Sequence, residues 1–213
     1  MNVFTLDLNL RKNPHTVAAY LAIGPRGPVL IDTGPSSVLE TMQARLAGHN
    51  YAVDDIRHVF LTHIHLDHAG AAGWWAQRGA NIYVHPNGAK HLIDPSKLLT
   101  SAERIYGERM DSLWGPMLPA PQDHVTMVED GEEIQVEGMK ITAIATPGHA
   151  HHHHAFRIED VAFTGDASGI RMPNSTFLTL PSPPPEFSLE SWHRTLSKLQ
   201  NEHFTTIFPT HYG

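Results

Sequence analysis

The sequence predicts an α+β fold, an αββα four-layer sandwich in which two mixed β-sheets pack face to face and helices cover their outer surfaces. Two observations carry this prediction. A run of strand signals gives way to alternating strand and helix signals, and the order occurs twice along the chain. Polar, metal-capable side chains also recur just after strands, as they would if several strand ends met on one edge of a sandwich.

Val3 to Leu10 alternates apolar and polar residues like a half-buried strand, and Asn13-Pro14 turns the chain. Thr16 to Ile23 reads as the next strand, Gly24 to Pro28 as a turn and Val29 to Ile31 as a third strand, which together suggest a meander. It ends in Asp32-Thr33-Gly34, a carboxylate at a strand tip. Ser37 and Glu40 make a capping box for a helix whose Val38, Leu39, Met42 and Leu46 share a face before Gly48. Ile56 to Leu61 is an apolar run expected to be a buried strand. Ala69 to Gln77 reads as a small-residue helix closed by Gly79, and Asn81 to His85 as a strand ended by Pro86.

Residues 87–125 carry helical pieces broken by Pro95, Pro116, Pro119 and Pro121, read as an insertion over one face. Their aromatic and Met content is plain packing more often than a substrate wall. Strand signals resume at Ile134 to Val136, Lys140 to Thr146, His152 to Ile158 and Val161 to Thr164. Pro181, Pro183, Pro184 and Pro185 form a stiff connection. Ser188 then caps a helix with Leu189, Trp192, Leu196 and Leu199 on one face, and Thr205 to Pro209 leads to His211. Residues 1–213 read as one domain, without short repeats or a low-complexity tail.

With 213 residues and 41% hydrophobic content, a sizeable core is available. A net charge of -7 without a Lys/Arg cluster argues against a nucleic-acid partner and leaves a small-molecule substrate as the expectation. There is no Cys, so every metal ligand must be N or O. No signal peptide and no membrane-spanning run is read, so a cytoplasmic location is expected. Histidine is the outlier, with 17 in the chain.

Thr62-His63-Ile64-His65-Leu66-Asp67-His68 gathers three imidazoles and a carboxylate into six residues after an apolar strand. A lone His is usually a packed or solvated one. Four such groups together would cost much unpaired polar burial without a cation, so a metal is the economical explanation. On an extended backbone His63 and His65 point to one side and Ile64 into the core. Asp67 is expected to N-cap a helix starting at His68, so that one segment supplies two neighbouring ions. Thr146-Pro147-Gly148-His149, Thr164-Gly165-Asp166 and Pro209-Thr210-His211 repeat the pattern of a strand ending in a polar group. In the run His151 to His154, strand alternation puts His152 and His154 on one side and His151 and His153 on the other; one or two are expected to face a site, the rest to be structural or solvent-facing.

With these residues in view, the chain resembles the metallo-β-lactamase superfamily over nearly its full length, and the αββα sandwich is that family's fold. The resemblance is carried by Asp32-Thr33-Gly34, the His-x-His-x-Asp-His of His63 to His68, Thr146 to His149, Gly165-Asp166 and Thr210-His211. It implies one metal on His63, His65 and His149, a second on Asp67, His68 and His211, and Asp166 bridging both. Asp32 would orient the ligands by hydrogen bonds from outside them. Asp166 stands where bacterial lactamases commonly carry Cys or Ser, so the resemblance points to the glyoxalase II (hydroxyacylglutathione hydrolase) and lactonase branch. Those thioesterases carry a helical C-terminal region that binds glutathione, whereas this sequence stops two residues after His211. Glutathione thioesters are therefore disfavoured, or the C-terminus has been shortened. The lactonase branch also places a Tyr near the substrate carbonyl, for which Tyr83, Tyr106 and Tyr212 are the candidates.

The implied chemistry is a dinuclear hydrolase acting on an ester, thioester or lactone. Two divalent ions, Zn first with Fe or Mn as alternatives, lower the pKa of a shared water to about 7, and the bridging hydroxide attacks the carbonyl. Asp67 is the expected proton acceptor, so Asp67 and Asp166 are the catalytic candidates. Three alternatives stay open, and a fourth, an oxygen-reducing flavo-diiron enzyme, is disfavoured because such enzymes usually place a Glu where this chain has His65. A mononuclear iron dioxygenase of the persulfide dioxygenase type would use His63, His149 and Asp166. A tRNA-processing phosphodiesterase shares the His cluster but not the acidic balance. A metal-binding domain without catalysis is the third. Specificity is expected to rest on residues 87–125 and 170–187, with Arg104, Arg109 and Arg171 as candidate anion holders.

Overall fold

The computed structural model describes residues 1–172, 175–182 and 186–212. Pro183, Pro184 and Pro185, most of the predicted stiff connection, lie outside them.

Strands β1 (Asn2–Asp7), β2 (Ala18–Ile23) and β3 (Pro28–Ile31) form the predicted antiparallel meander. Strands β4 (His58–Phe60), β5 (Asn81–Val84) and β6 (Val125–Met127) extend it in parallel to a six-stranded sheet. Parallel neighbours need crossovers, and helices supply them. Helix α1 (Leu39–Gly48) joins β3 to β4, and α2 (Leu66–Ala69) and α3 (Ala72–Ala76) join β4 to β5. Helices α4 (Pro86–Ile93), α5 (Ser96–Tyr106) and α6 (Met110–Trp114) join β5 to β6, where the sequence breaks helical pieces with prolines.

The second sheet begins with β7 (Glu133–Val136), β8 (Met139–Ala145), β9 (His154–Ile158) and β10 (Val161–Gly165), all antiparallel. A small hairpin, β11 (Ile170–Arg171) and β12 (Leu178–Thr179), precedes α7 (Leu189–Asn201), which crosses over to β13 (Thr206–Pro209) parallel to β10. Ser188 caps α7 as expected, accepting the Ser191 amide on its hydroxyl.

The period of two along β2 explains the layering. Ala18, Tyr20 and Ala22 face the second sheet, while Ala19 and Leu21 face the helices. Between the sheets, Phe60 stacks on Tyr83 at 4.3 Å and meets Phe156 edge-on at 5.2 Å. On the helical side Met42, Leu46, Trp75 and Leu92 fill a larger core, and Leu199 of α7 packs with Ile144 and Ala155 across the second sheet. Each such large apolar side chain contributes about 1.5–3 kcal/mol by leaving water. The four layers are thus helix, sheet, sheet, helix.

Three local expectations change. Ser37 does not cap α1; a 3-10 turn at Ser36–Val38 precedes the helix, and the Ser37 hydroxyl donates to the Leu113 carbonyl at 2.7 Å, tying α1 to α6. The helix expected over residues 69–77 is two short ones, because the Ala71 amide donates to the Gly34 carbonyl at 2.9 Å and so turns toward the loop after β3. The strand expected from His152 starts only at His154, since residues 151 and 152 lie in a turn.

Candidate metal centre

In the first sheet β3 and β4 run the same way, in the second β8, β10 and β13 do, and the residues that follow the C-terminal ends of these strands meet. The chain leaves β4 after Phe60, so His63 and His65 are not on a strand, yet their rings converge and Ile64 packs into the helical core. Asp67 is not an N-cap: α2 starts two residues earlier than expected, at Leu66, with His65 in the cap position, so Asp67 sits in its first turn.

His63 Nε2, His65 Nδ1 and His149 Nε2 form a triangle with sides of 2.9, 2.9 and 3.0 Å. The remaining nitrogens say what this triangle contains. His149 Nδ1 donates to the Pro181 carbonyl at 2.9 Å, which leaves Nε2 a lone pair. Thr62 Oγ1 donates to Asp32 and so accepts from His63 Nδ1, which makes His63 Nε2 a lone pair too. Two lone pairs therefore face each other across 3.0 Å inside the protein, an arrangement that fits a cation between them. Burial first, then the neighbouring imidazoles, holds His63 well below the usual histidine range and His65 down to about 3. All three rings of this group are thus ready to ligate.

The second group is built differently. His68 Nε2 lies 3.8 Å from Asp67 Oδ2 and 3.4 Å from Asp166 Oδ1; His211 Nε2 lies 3.2 and 3.4 Å from the same two oxygens. Asp166 turns its other oxygen, Oδ2, to His149 Nε2 at 3.4 Å, so its carboxylate faces both groups. Burial would raise the Asp166 carboxyl, but His68, His211 and His149 outweigh it and hold it well below the usual range. Burial likewise opposes protonation of His211, yet Asp166 and Asp67 lift it to about 9. His68 Nε2 and Asp166 Oδ1 are buried with no hydrogen-bond partner among the described residues. These orphaned atoms, together with the close sets His63/His65/His149, His63/His68/Asp166 and Asp67/His68/His211, fit metal binding here.

Asp32 stands behind the second group, with φ 58° at the strand tip. It accepts from the Thr62 amide at 2.8 Å, the Thr62 hydroxyl at 2.9 Å, the Thr210 hydroxyl at 3.0 Å and His68 Nδ1 at 2.8 Å. Gly165 is forced by the crowding there: its φ is 52°, and a Cβ would lie 2.7 Å from Thr62 Oγ1 and from His153 Nε2.

The residue that sequence reasoning passed over is His153. The Asp166 amide donates to His153 Nε2 at 3.2 Å, His153 Nδ1 lies 2.7 Å from Thr146 Oγ1, and the ring stacks on His63 at 4.8 Å. It anchors Asp166 from behind. Because the strand starts late, the expected alternation fails: His152 and His153 both border the centre, His151 is exposed and His154 is buried against His85. The four-His run carries no signal that would have separated them.

A cleft of about 720 Å³ opens onto His65, Asp67, His149, Asp166 and His211. Leu98, Ile105, Tyr106 and Trp114 from the 87–125 segment and Ile170, Met172 and Leu180 from the following loop make its walls largely apolar. The cations in it are Arg11 and Lys97; Arg104, Arg109 and Arg171 do not line it. Of the three tyrosines considered, Tyr106 alone lines it, while Tyr83 lies 3.0 Å from His58 and Tyr212 packs on His15. A groove of about 1040 Å³ elsewhere, lined by Asp130, Lys140, Arg157 and Lys198 among others, holds none of the ligand candidates.

Known proteins share this architecture. A metallo-beta-lactamase fold-containing protein of Sulfurisphaera tokodaii is 29% identical over 189 residues, 87% of this chain and 68% of its own. The crystal structure of an archaeal metallo-beta-lactamase superfamily protein from Sulfolobus tokodaii superposes with a TM-score of 0.81 at 26% identity, over 100% of this chain and 80% of that one. An atrochrysone carboxyl ACP thioesterase of Aspergillus fumigatus is 29% identical over 151 residues, 69% of this chain but 28% of its own length. The chain thus spans under a third of that fungal relative. The family model of the metallo-beta-lactamase superfamily matches residues 13–211, which takes in every strand from β2 onward and each side chain of the candidate centre. The chain belongs to the metallo-β-lactamase superfamily.

Proposed function

We propose that this protein is a metal-dependent hydrolase that cleaves an ester, thioester or lactone carrying an apolar acyl group. The observation that supports this best is the Asp166 carboxylate, whose oxygens lie 3.4 Å from His149 on one side and 3.4 Å from His68 and His211 on the other. His63, His65 and His149 would hold one ion and Asp67, His68 and His211 the second, with Asp166 shared. Nitrogen and oxygen donors of this kind suit Zn, with Fe or Mn as alternatives. Bound ions of this type supply Lewis acidity and make hydroxide available near neutral pH.

The chain's own residues do the rest. Asp32 keeps His68 Nε2 aimed at the centre, and the His153 ring holds the Asp166 backbone. Asp67, 22% exposed at the cleft floor, would accept the proton released in attack. Leu98, Ile105, Tyr106 and Met172 would take the acyl chain, at about 0.8 kcal/mol per buried methylene. The fungal thioesterase among the relatives agrees with a thioester substrate. The dioxygenase reading needs only His63, His149 and Asp166, and leaves the half-buried Asp67 and the buried His68 and His211 without a role.

The test is elemental mass spectrometry on tag-free protein that never met a nickel column, with Asp166→Ala alongside, followed by a panel of esters and thioesters of increasing chain length. Two ions per chain that drop in the variant, with turnover of the longer acyl substrates, are expected. A single iron with oxygen uptake would replace this reading by the dioxygenase.

A further inference from the structure

Among the described residues, one group that could hold a cation reaches outside the residues of the primary centre: ring nitrogens of His65 and His152 and a carboxylate oxygen of Glu186 lie within 4.8 Å of one another. Glu186 Oε2 is 3.2 Å from His152 Nε2 and 3.2 Å from His151 Nδ1. The bland reading is a surface ion pair. Its geometry does not agree: among the described residues Glu186 Oε2 is enclosed yet makes no well-aligned hydrogen bond, and His152 Nδ1 is buried without a partner. A carboxylate oxygen 3.2 Å from two imidazole nitrogens, without a well-aligned hydrogen bond to either, is arranged as ligands around an ion would be. The His152 side chain is 4% exposed and Glu186 32%, so the site is open to solvent on one side only.

We propose that His152 and Glu186, with His65 at the inner edge, form a third divalent-cation site in the wall of the cleft. Two imidazoles and one carboxylate suit Zn, Co or Ni better than Mg or Ca. Three protein ligands and an open side make it weaker than the primary centre. His65 also gives Nδ1 to the first triad, so the two sites share a residue and filling one affects the other. An ion here would add positive charge to a cleft whose other cations are Arg11 and Lys97. The inference rests on the two-ion reading only for the count at which the third equivalent appears.

The experiment is equilibrium dialysis of the full chain, freed of metal, against increasing Zn²⁺, with metal per chain read by elemental analysis. Wild type is expected to take up a third, weaker equivalent. Glu186→Gln, a near-isosteric change in a partly exposed side chain, and His152→Gln are each expected to lose that equivalent and keep the first two. Saturation of the wild type at two, or a third equivalent that survives both variants, would overturn the site. Failure of the primary centre reads differently: Asp166→Ala would then leave the tight equivalents unchanged.

Discussion

Asp32 Oδ2 lies 2.8 Å from His68 Nδ1, with both side chains withdrawn from solvent. The same carboxylate accepts from Thr62 and Thr210, so its loss would strand several buried donors at once. Asp32→Ala is expected to cost about 3–5 kcal/mol of stability, read by urea unfolding. It should also weaken metal retention about 10–100-fold in a chelator competition. Asp32→Asn, which tolerates the left-handed backbone there, should lose less on both counts. Equal losses for the two would place the effect outside the hydrogen bonds.

Two glycines make a matched pair. At Gly165, Ala would need a positive φ and a Cβ 2.7 Å from Thr62 Oγ1, and the expected cost is about 1–3 kcal/mol or more. At Gly48, the last residue of α1, a Cβ meets nothing within 4 Å, so Ala should stabilise by about 0.5–1 kcal/mol. Denaturation midpoints that shift in the same direction would contradict this account.

The pH dependence of the metal-free protein has a defined sign. Burial first, and His85 second, holds the His154 imidazole down to about 3 from an ordinary value of 6.5. Between those values the unfolded chain binds a proton that the folded chain refuses, so this contribution is complete above pH 6.5 and falls as pH drops toward 3. The slope is about 1.4 kcal/mol per pH unit for this one group. His154→Gln is expected to remove that much slope, measured by urea unfolding at several pH values; an unchanged slope would exclude His154 as a source.

The cleft wall makes a specificity prediction. Leu98→Ala is expected to lower kcat/KM for long-chain acyl esters by about 1–3 kcal/mol, roughly five- to 150-fold, and to leave acetyl esters nearly unaffected. Equal loss for both chain lengths would remove the acyl chain from this wall.

Much of the fold was legible because its signals are local. The alternation of β2, the turns at glycine and proline, and the Ser188 cap each act within a few residues. The clustering of His63, His65, Asp67 and His68 was legible for the same reason. Ser37 was misread because its hydroxyl has two possible partners, the helix it precedes and the Leu113 carbonyl, and only packing chooses between them.

The sequence by itself determined which side chains are able to ligate and that strand ends would present them, since residue type and strand period are one-dimensional properties. Tertiary structure alone decided which nitrogen of each imidazole faces the centre, through partners as distant as Pro181 for His149 and Thr16 for His211. It also brought His153 behind Asp166, Glu186 against His152, and Arg11 and Lys97 into the cleft. The physical reason is common to all of these. An imidazole or a carboxylate offers more than one donor or acceptor direction, and burial settles the choice by leaving the fewest polar atoms unpaired.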